Sequence, residues 1–570
     1  MSELTYIKGK DDCLEVSIEK MQAALLQAGF DIVEASWLNP VTNVYSLHIY
    51  EKKCPGLFTN GKGVCRKSTL ASALGEFIER LSTNYFFSDY WLERVEDEAA
   101  HDWLYYPNEK SFSKANLAEC LSPELWSFYD TDEALSLVDL LSFNDSQNTV
   151  RAIELHQVGG GAVYFPMNLL SNLYASNGLS AGNTAVEAQV QGLSEIFERW
   201  VKNKIMRENI CLPEVPQTVV NHFPEIVAII EGMKQEGIAV SIRDASLGGV
   251  YPVINVTLFE QKTGLCFASF GAHPIFEVAL ERTLTESLQG RNLGNLDGFQ
   301  MPVFDAFTVA EDENLENHFI DSSGLIHVHF ISDDYDYDFV HWNFSGDTEA
   351  QWDTLCALVE AAGYTTYVAN YRHYGFEACR VVVPGMSEIY PVEEVIERNQ
   401  NMGRMLRESL LRLEDSVGFD EVINLIDELG FSDHQGVASL IGLMPDPHSF
   451  WAELKIVDLK FWCYLALGEK EAALESLQGS IYFLSESSHW LLVYKTLMFA
   501  LEMALTGVTN RYSVTLLFGA KLTNQAWLNV QAGEGFWGEC LGRNLFKQSQ
   551  QHCALLDIYM QSRQVKLEGA

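Results

Sequence analysis

The sequence predicts an α+β domain over residues 1–415, followed by an all-α, tetratricopeptide-like domain over residues 416–570. Up to about residue 415, short β-rich runs alternate with amphipathic helical segments. After Arg404-Met405-Leu406-Arg407, apolar residues recur at three- and four-residue spacing and few strands are indicated. Because 570 residues exceed what one hydrophobic core usually supports, two or three structural units are expected.

The candidate strands of the first domain are short runs rich in β-branched and aromatic residues. They are Val44–Tyr50, Ile238–Ile242, the hairpin Tyr251–Phe259 with Leu265–Phe270, and the pair Thr365–Tyr371 with Ala378–Val383. Their mixture with helical segments is typical of an α+β fold.

One segment of the C-terminal domain resembles a tetratricopeptide unit. Residues Phe461–Leu474 read as a helix, a break at Gly468 and a second helix rich in alanine. No period of about 34 residues is established around it, so an irregular helical bundle is the open alternative.

The composition describes a folded and strongly acidic protein. Hydrophobic residues make up 47% and charged residues 20%, with 38 Lys and Arg against 78 Asp and Glu, a formal charge of −40. Such a charge repels a phosphate backbone, so direct nucleic-acid binding is not expected. The acidity serves solubility or attracts a strongly basic partner, and the composition leaves both explanations open.

The sequence predicts a cytoplasmic protein with reduced thiols. Its N-terminus shows no secretory signal, and no run of about 18 apolar residues could span a membrane. The 11 cysteines are scattered singly and form no CxxC pair.

The most informative pattern is a glutamate motif that occurs twice. Gly75–Arg80 (GEFIER) returns as Ser194–Arg199 (SEIFER), each within a helical stretch. Helical geometry gives each motif a polar face. These faces comprise Ser72, Glu76, Glu79 and Arg80 on the first helix, and Glu187, Gln191, Glu195, Glu198 and Arg199 on the second. The second helix begins at Asn183-Thr184, where Thr184 and Glu187 fit a capping box.

A third helix is expected to begin near His273-Pro274 and to carry Arg282, Glu286 and Gln289, with Arg291 just beyond it. The ordinary interpretation of such rows is a solvated face with ion pairs four residues apart. The duplication favours a functional site. Converging glutamates would need cations, and oxygen ligands with arginines nearby suit Mg²⁺ and a nucleoside triphosphate.

No known phosphate-binding loop competes with this hypothesis. The sequence contains neither G-x-x-x-x-G-K-[ST] nor a suitably placed G-x-G-x-x-G. Asn60-Gly61-Lys62-Gly63 could form an anion-binding nest, although a plain turn is the simpler expectation.

These three elements together resemble the YcaO family, whose members bind ATP without a Walker motif. The opening segment, with Gly9-Lys10-Asp11 and Ser17, is also similar to that of the family. The resemblance implies ATP and Mg²⁺ as cofactors. It places the nucleotide at Lys10, Ser17, Ser72, Arg80, Asn183, Glu187, Gln191, Arg199, Arg282 and Glu286, and the metal at Glu76, Glu79, Glu195 and Glu198.

The resemblance is greatest to a stand-alone bacterial member of the family. It implies an accessory factor in β-methylthiolation of an aspartate of ribosomal protein S12, with S12 and a radical-SAM methylthiotransferase as partners. It also implies a homodimer and an ATP-hydrolysing or phosphoryl-transferring activity on a protein or peptide. Two alternatives stay open: an enzyme that activates peptide amides to form azolines or thioamides, and a nucleotide-regulated scaffold. The C-terminus carries no proline-rich tail of the azoline-forming kind, which speaks against azoline formation.

Overall fold

The computed structural model describes residues 4–92, 103–145, 148–294, 296–396, 398–413, 418–532, 536 and 541–569. The chain divides into two compact units. The first comprises residues 1–86, 99–398 and 560–570, and the second comprises residues 87–98 and 399–559. Within the described residues, no helix is long and apolar enough to cross a membrane.

The first unit contains three antiparallel sheets. Their orders are β1-β2-β3, β10-β9-β8 and β4-β5-β11-β12-β7, with β6 paired to β5. The strands are β1 Ile32–Val41, β2 Val44–Glu51, β3 Cys54–Gly63, β4 Lys110–Ser113, β5 Thr149–Gln157, β6 Ala162–Pro166, β7 Leu179–Gly182, β8 Ile238–Asp244, β9 Val253–Glu260, β10 Leu265–Ala272, β11 Tyr367–Tyr371 and β12 Glu377–Val382.

Helices pack on the sheets of the first unit. In the described part of the second unit, the secondary structure is helical and contains no strands. The first unit holds α1 Leu14–Gln27, α2 Arg66–Ser82, α3 Pro123–Tyr129, α4 Met167–Leu169, α5 Ala185–Glu208, α6 Gln217–Val220, α7 Pro224–Gln235, α8 Phe276–Ser287, α9 Ala306–Ala310, α10 Asp312–Ile320 and α11 Thr348–Ala361. The later helices are α12 Gly403–Arg412, α13 Phe419–Leu429, α14 Val437–Ile441, α15 Phe450–Glu453, α16 Ile456–Leu467, α17 Lys470–Phe483, α18 Trp490–Thr506, α19 Tyr512–Phe518, α20 Ala520–Ala532 and α21 Gln550–Glu568.

The candidate strands are confirmed, each within one or two residues at its ends. Both expected pairs, β9 with β10 and β11 with β12, are antiparallel. The third helix begins later than the sequence predicts, because α8 begins at Phe276 and Pro274 precedes it. It ends at Ser287, so Gln289 lies beyond it. The expected turn at Asn60-Gly61-Lys62-Gly63 is also wrong, because these residues form the end of β3.

Three glycines let helices α2, α5 and α8 approach the strands beneath them. A Cβ on Gly61 of β3 would lie 2.2 Å from the carbonyl oxygen of Thr69 on α2. A Cβ on Gly182 would lie 2.6 Å from the Ala188 nitrogen on α5, and one on Gly271 would lie 2.2 Å from the Thr283 hydroxyl on α8. All three contacts are shorter than packed atoms tolerate, so only glycine fits at this spacing.

We expect Gly61→Ala to destabilise the first unit by about 1–3 kcal/mol, because the added methyl group meets backbone atoms that cannot move independently. Thermal unfolding followed by circular dichroism measures the effect. Gly161→Ala is the matched control, since a Cβ there meets nothing within 4 Å. Equal melting temperatures for the two variants would contradict the close packing of α2 on β3.

The second unit has a core of aromatic and aliphatic side chains, among them Phe450, Trp462 and Phe536. The expected helix, glycine break and helix are confirmed as α16 and α17, with Gly468 in the left-handed conformation at the end of α16.

The last helix returns to the first unit, which includes residues from Met560 onward. There, the buried Lys566 ammonium donates a hydrogen bond to Asn84 Oδ1 at 2.6 Å. Arg563 donates to the Trp103 carbonyl oxygen at 2.8 Å. Burial lowers the pKa of Lys566 to about 7.

Candidate functional site

Helix α2 separates its apolar face from its carboxylates. Leu74, Phe77, Ile78 and Leu81 are buried in the core. Glu79 is mostly buried, whereas the Glu76 side chain retains about a third of its exposure. The bulky face therefore anchors the helix and leaves the glutamates on the opposite side, as the periodicity predicts.

The N-terminal segment meets the start of α5 at Glu187. The Lys10 ammonium lies 3.1 Å from Glu187 Oε1, and the Asp11 amide donates to Oε2 at 2.8 Å. Asn183 Nδ2 donates to the same carboxylate at 2.9 Å, and the Ser17 hydroxyl donates to Asn183 Oδ1 at 2.6 Å. The structure thus brings together Lys10, Ser17, Asn183 and Glu187.

The capping box expected at the start of α5 is only half formed. The Thr184 hydroxyl accepts a hydrogen bond from the Glu187 amide at 3.1 Å, so Thr184 is the N-cap. The Glu187 carboxylate faces Lys10 and Asp11 instead. Burial raises the pKa of Glu187, but Lys10 and the Asp11 amide outweigh it, so the net shift is downward and the carboxylate is charged.

A second group of predicted residues meets between α5 and α8. Arg282 donates a hydrogen bond to Gln191 Oε1, which joins the two helices. Glu286 pairs with Lys62 of β3 at 2.7 Å. The Lys62 amide is 3.4 Å from the Ser72 hydroxyl, which places Ser72 beside this group.

The two copies of the repeated motif make the same internal ion pair. Arg80 lies 3.2 Å from Glu76 Oε1 and 3.5 Å from Glu79 Oε1. Arg199 lies 2.9 Å from Glu195 Oε1 and also donates to the Phe319 carbonyl oxygen at 3.2 Å. Each arginine therefore neutralises the glutamate four residues before it.

The second glutamate of each motif, Glu79 and Glu198, has a pKa well above its usual range. Burial raises the pKa of Glu79 to about 8. Attraction from Arg80 lowers this pKa, whereas repulsion from Glu76 and Glu195 raises it further. Burial, and then repulsion from Glu286, raises the pKa of Glu198 to about 7. These influences cross from α2 to α5 and from α5 to α8, so carboxylates of the three helices lie within electrostatic reach of one another.

The donor set fits a hard divalent cation. Buried carboxylates with raised pKa values would regain their charge next to a cation. Among the described residues, no group of three or more His, Cys, Asp and Glu side chains is arranged around one metal position. Mg²⁺ commonly takes one or two carboxylates and completes its shell with substrate phosphates and water, so this arrangement suits Mg²⁺ bound together with a nucleotide.

Three basic residues near these carboxylates are not among the site residues that the sequence predicts, although Lys62 belongs to the segment considered there as an anion-binding nest. Lys62 pairs with Glu286, and the buried Lys202 ammonium donates to the His318 carbonyl oxygen at 2.7 Å. Burial, and then Arg199, lowers the pKa of Lys202 to about 8. The buried Arg380 on β12 attracts Glu79 and repels Arg80. Lys202 could have been found, since it follows Glu198 by four residues on the same face. The sequence contains no comparable signal for Arg380.

Comparison with known families decides the assignment. The family model for the ATP- and Mg²⁺-binding YcaO cyclodehydratase domain matches residues 60–387, and the model for the YcaO cyclodehydratase C-terminal domain matches residues 403–568. The chain belongs to the YcaO family. Its expected cofactors, ATP and Mg²⁺, are those of the family.

Relatives of high sequence identity include two bacterial proteins. An uncharacterised protein of Haemophilus influenzae is 43% identical over 591 residues, covering 100% of both chains. The ribosomal protein S12 methylthiotransferase accessory factor YcaO of Escherichia coli is 49% identical over 490 residues, covering 84% of this chain and 83% of that protein.

The solved structures that the chain resembles are more distant in sequence. A heterocyclase in complex with substrate and cofactor has a TM-score of 0.46 and 18% identity, covering 69% of this chain and 56% of that chain. YcaO from Methanopyrus kandleri, bound with AMPPCP and Mg²⁺, has a TM-score of 0.41 and 16% identity, covering 68% and 95%.

Proposed function

We propose that this chain is a cytoplasmic, ATP-consuming accessory factor in the β-methylthiolation of an aspartate of ribosomal protein S12. The observation that carries the proposal is the 49% identity, over 84% of the chain, to a relative named as a ribosomal protein S12 methylthiotransferase accessory factor. The acidity adds support, since a charge of −40 attracts a basic ribosomal protein. A radical-SAM methylthiotransferase would perform the sulfur insertion.

In this proposal, the three facing helices form the ATP site. Glu76, Glu79, Glu195 and Glu198 would hold Mg²⁺ ions, each ion taking one or two of these carboxylates and neutralising phosphate charge when bound. Arg80, Arg199 and Arg282 would exchange their present partners for phosphate oxygens, because guanidinium groups suit phosphate geometry. The remaining nucleotide contacts would come from Lys10, Ser17, Ser72, Asn183, Glu187, Gln191 and Glu286.

Deleting the gene tests the role directly. We expect the S12 protein of the deletion strain to lose the mass increment of the methylthio group, as measured by intact-protein mass spectrometry. The parent gene should restore the increment and Glu195→Ala should not, because the variant lacks a proposed metal ligand. Full modification in the deletion strain would refute the accessory role and favour the peptide amide-activating alternative.

We further propose that the second unit is tetratricopeptide-like and holds two copies of the chain together. Its helices α16, α18 and α20 begin at Ile456, Trp490 and Ala520, at intervals near the length of such a repeat. On α18 and α19, large apolar side chains are exposed in the single chain: Leu492, Phe499, Tyr512, Leu516 and Leu517. Exposed apolar surface of this kind marks a protein interface.

Leu516→Ser with Leu517→Ser should shift the protein from dimer to monomer at micromolar concentration, because both side chains are more than 60% exposed in the single chain. Gel filtration with light scattering measures the mass. Leu26→Ser is the control, since Leu26 is 75% exposed but lies in the first unit. A double variant with the mass of the parent would place the dimer contact elsewhere.

A further inference from the structure

An acidic surface with exposed aromatic side chains lies on residues 301–321. Phe304 and Phe307 are 86% and 85% exposed, and Met301 and Ile320 are more than 60% exposed. The same segment contains six Asp and Glu residues but neither Lys nor Arg. We call this feature the acidic aromatic surface. Single exposed apolar residues are common on protein surfaces, but several of them within one short segment are a sign of a binding surface.

The backbone beneath this surface is well fixed. Asp305 caps α9 by accepting a hydrogen bond from the Phe307 amide at 3.0 Å. The buried Asn314 donates to the Val309 and Leu325 carbonyl oxygens at 2.9 and 3.1 Å. The two phenylalanines are therefore presented by an ordered segment, which lowers the entropy cost of binding.

This segment is tied directly to the proposed ATP site. The carbonyl oxygens of His318 and Phe319 at the end of α10 accept hydrogen bonds from Lys202 and Arg199 of α5. At its other end, Asp312 of α10 lines a cleft of about 570 Å³, which also reaches Arg199 and is bordered by Gly385–Glu393. A partner seated on the surface would thus lie beside a cleft that leads to a nucleotide-binding arginine.

The charges identify the chemistry of the partner. Asp305, Glu311, Glu313 and Asp321 are exposed on this segment. Its other two carboxylates are paired, Asp312 with Arg207 and Glu316 with Arg398. A basic segment with interspersed apolar residues would gain two kinds of contact here: ion pairs with the carboxylates and apolar contacts with the phenylalanines.

We infer that the acidic aromatic surface docks a basic protein substrate and directs it into the cleft beside Arg199. This inference rests on the proposed function, and it adds where on the chain the substrate binds. Aromatic side chains supply the anchor, because residues of this type dominate binding energy at interfaces, and the carboxylates speed the encounter.

The test uses the full chain and labelled ribosomal protein S12, with fluorescence anisotropy at several salt concentrations. Phe304→Ser with Phe307→Ser should weaken binding at least tenfold, and Glu311→Gln with Glu313→Gln should flatten the salt dependence. Tyr482→Ser, at 84% exposure in the second unit, is the matched control and should bind like the parent. ATP affinity should be unchanged in all variants. Parent-like binding by the phenylalanine double variant would overturn the inference.

A second probe separates this inference from the proposed function. A synthetic peptide of about 20 residues rich in lysine and leucine has the basic and apolar side chains expected of the partner but not the sequence of S12. If the parent binds the peptide but not S12, and the phenylalanine double variant loses the peptide, the surface stands and the S12 role falls. If the parent binds neither probe, both fail.

Discussion

Removing divalent metal with EDTA should reduce ATP affinity at least 100-fold, so that no binding heat is seen by calorimetry at micromolar protein. The reason is charge: carboxylates from α2, α5 and α8 lie within electrostatic reach of one another, and a triphosphate without a cation would add further negative charge. Adding Mg²⁺ in excess of EDTA should restore the signal. Undiminished binding in metal-free buffer would refute the carboxylate site.

The same measurement should depend on pH in a defined direction. Without metal, Glu79 is protonated when the pH is below about 8, and Glu198 when it is below about 7, since these are their pKa values. Mg²⁺ must displace these protons, so affinity should rise as pH increases from 6 to 8.5, by tenfold or more. The free energy of unfolding without metal has the opposite pH dependence. Because the pKa values of Glu79 and Glu198 are raised above 4.5 in the folded protein, the folded state binds more protons, and the contribution of these two groups to stability falls as pH increases from about 4.5 to 8.

Glu76→Ala and Glu195→Ala should each weaken Mg²⁺-ATP binding on the order of 100-fold while circular dichroism remains unchanged. Each variant removes a proposed metal ligand, and such a ligand supports several kcal/mol of phosphate stabilisation. Neither side chain packs in the core, since both are partly exposed, so the fold should persist.

Two further variants make this result interpretable. Glu208→Ala, at the exposed end of α5, is the matched control and should bind ATP like the parent. Glu195→Gln keeps a hydrogen-bond acceptor for Arg199 but removes the charge. If Glu195→Gln binds as tightly as the parent, Glu195 orders Arg199 and is not a metal ligand.

Local patterns predicted much of the fold. Runs rich in β-branched and aromatic residues located the strands around Val44, Ile238 and Leu265. Alternation was not the signal for the strand at Leu265, because β10 is buried along almost its whole length. The start of α8 was missed because Pro274 is compatible with a first helical turn, yet the chain stays extended through Ile275. Proline identity alone does not distinguish these positions.

Contacts of the candidate site within one helix could be predicted from the sequence, whereas contacts between segments far apart in the chain could not. The pairs Glu76 with Arg80 and Glu195 with Arg199 follow from four-residue spacing. The contact of Lys10 with Glu187 joins residues far apart in the chain, and only the family resemblance indicated it. Arg380 reaches Glu79 through sheet topology, which no local spacing encodes.

The course of the last helix has a consequence for biosynthesis. Lys566 supplies a buried partner to Asn84, although the two residues are separated by 482 positions. On a translating ribosome, the nucleotide-binding unit therefore cannot acquire its complete set of contacts until the final helix has been made. Chains released early would lack these contacts and leave Asn84 without its cation. The full stability of the first unit would thus require that synthesis has passed Lys566.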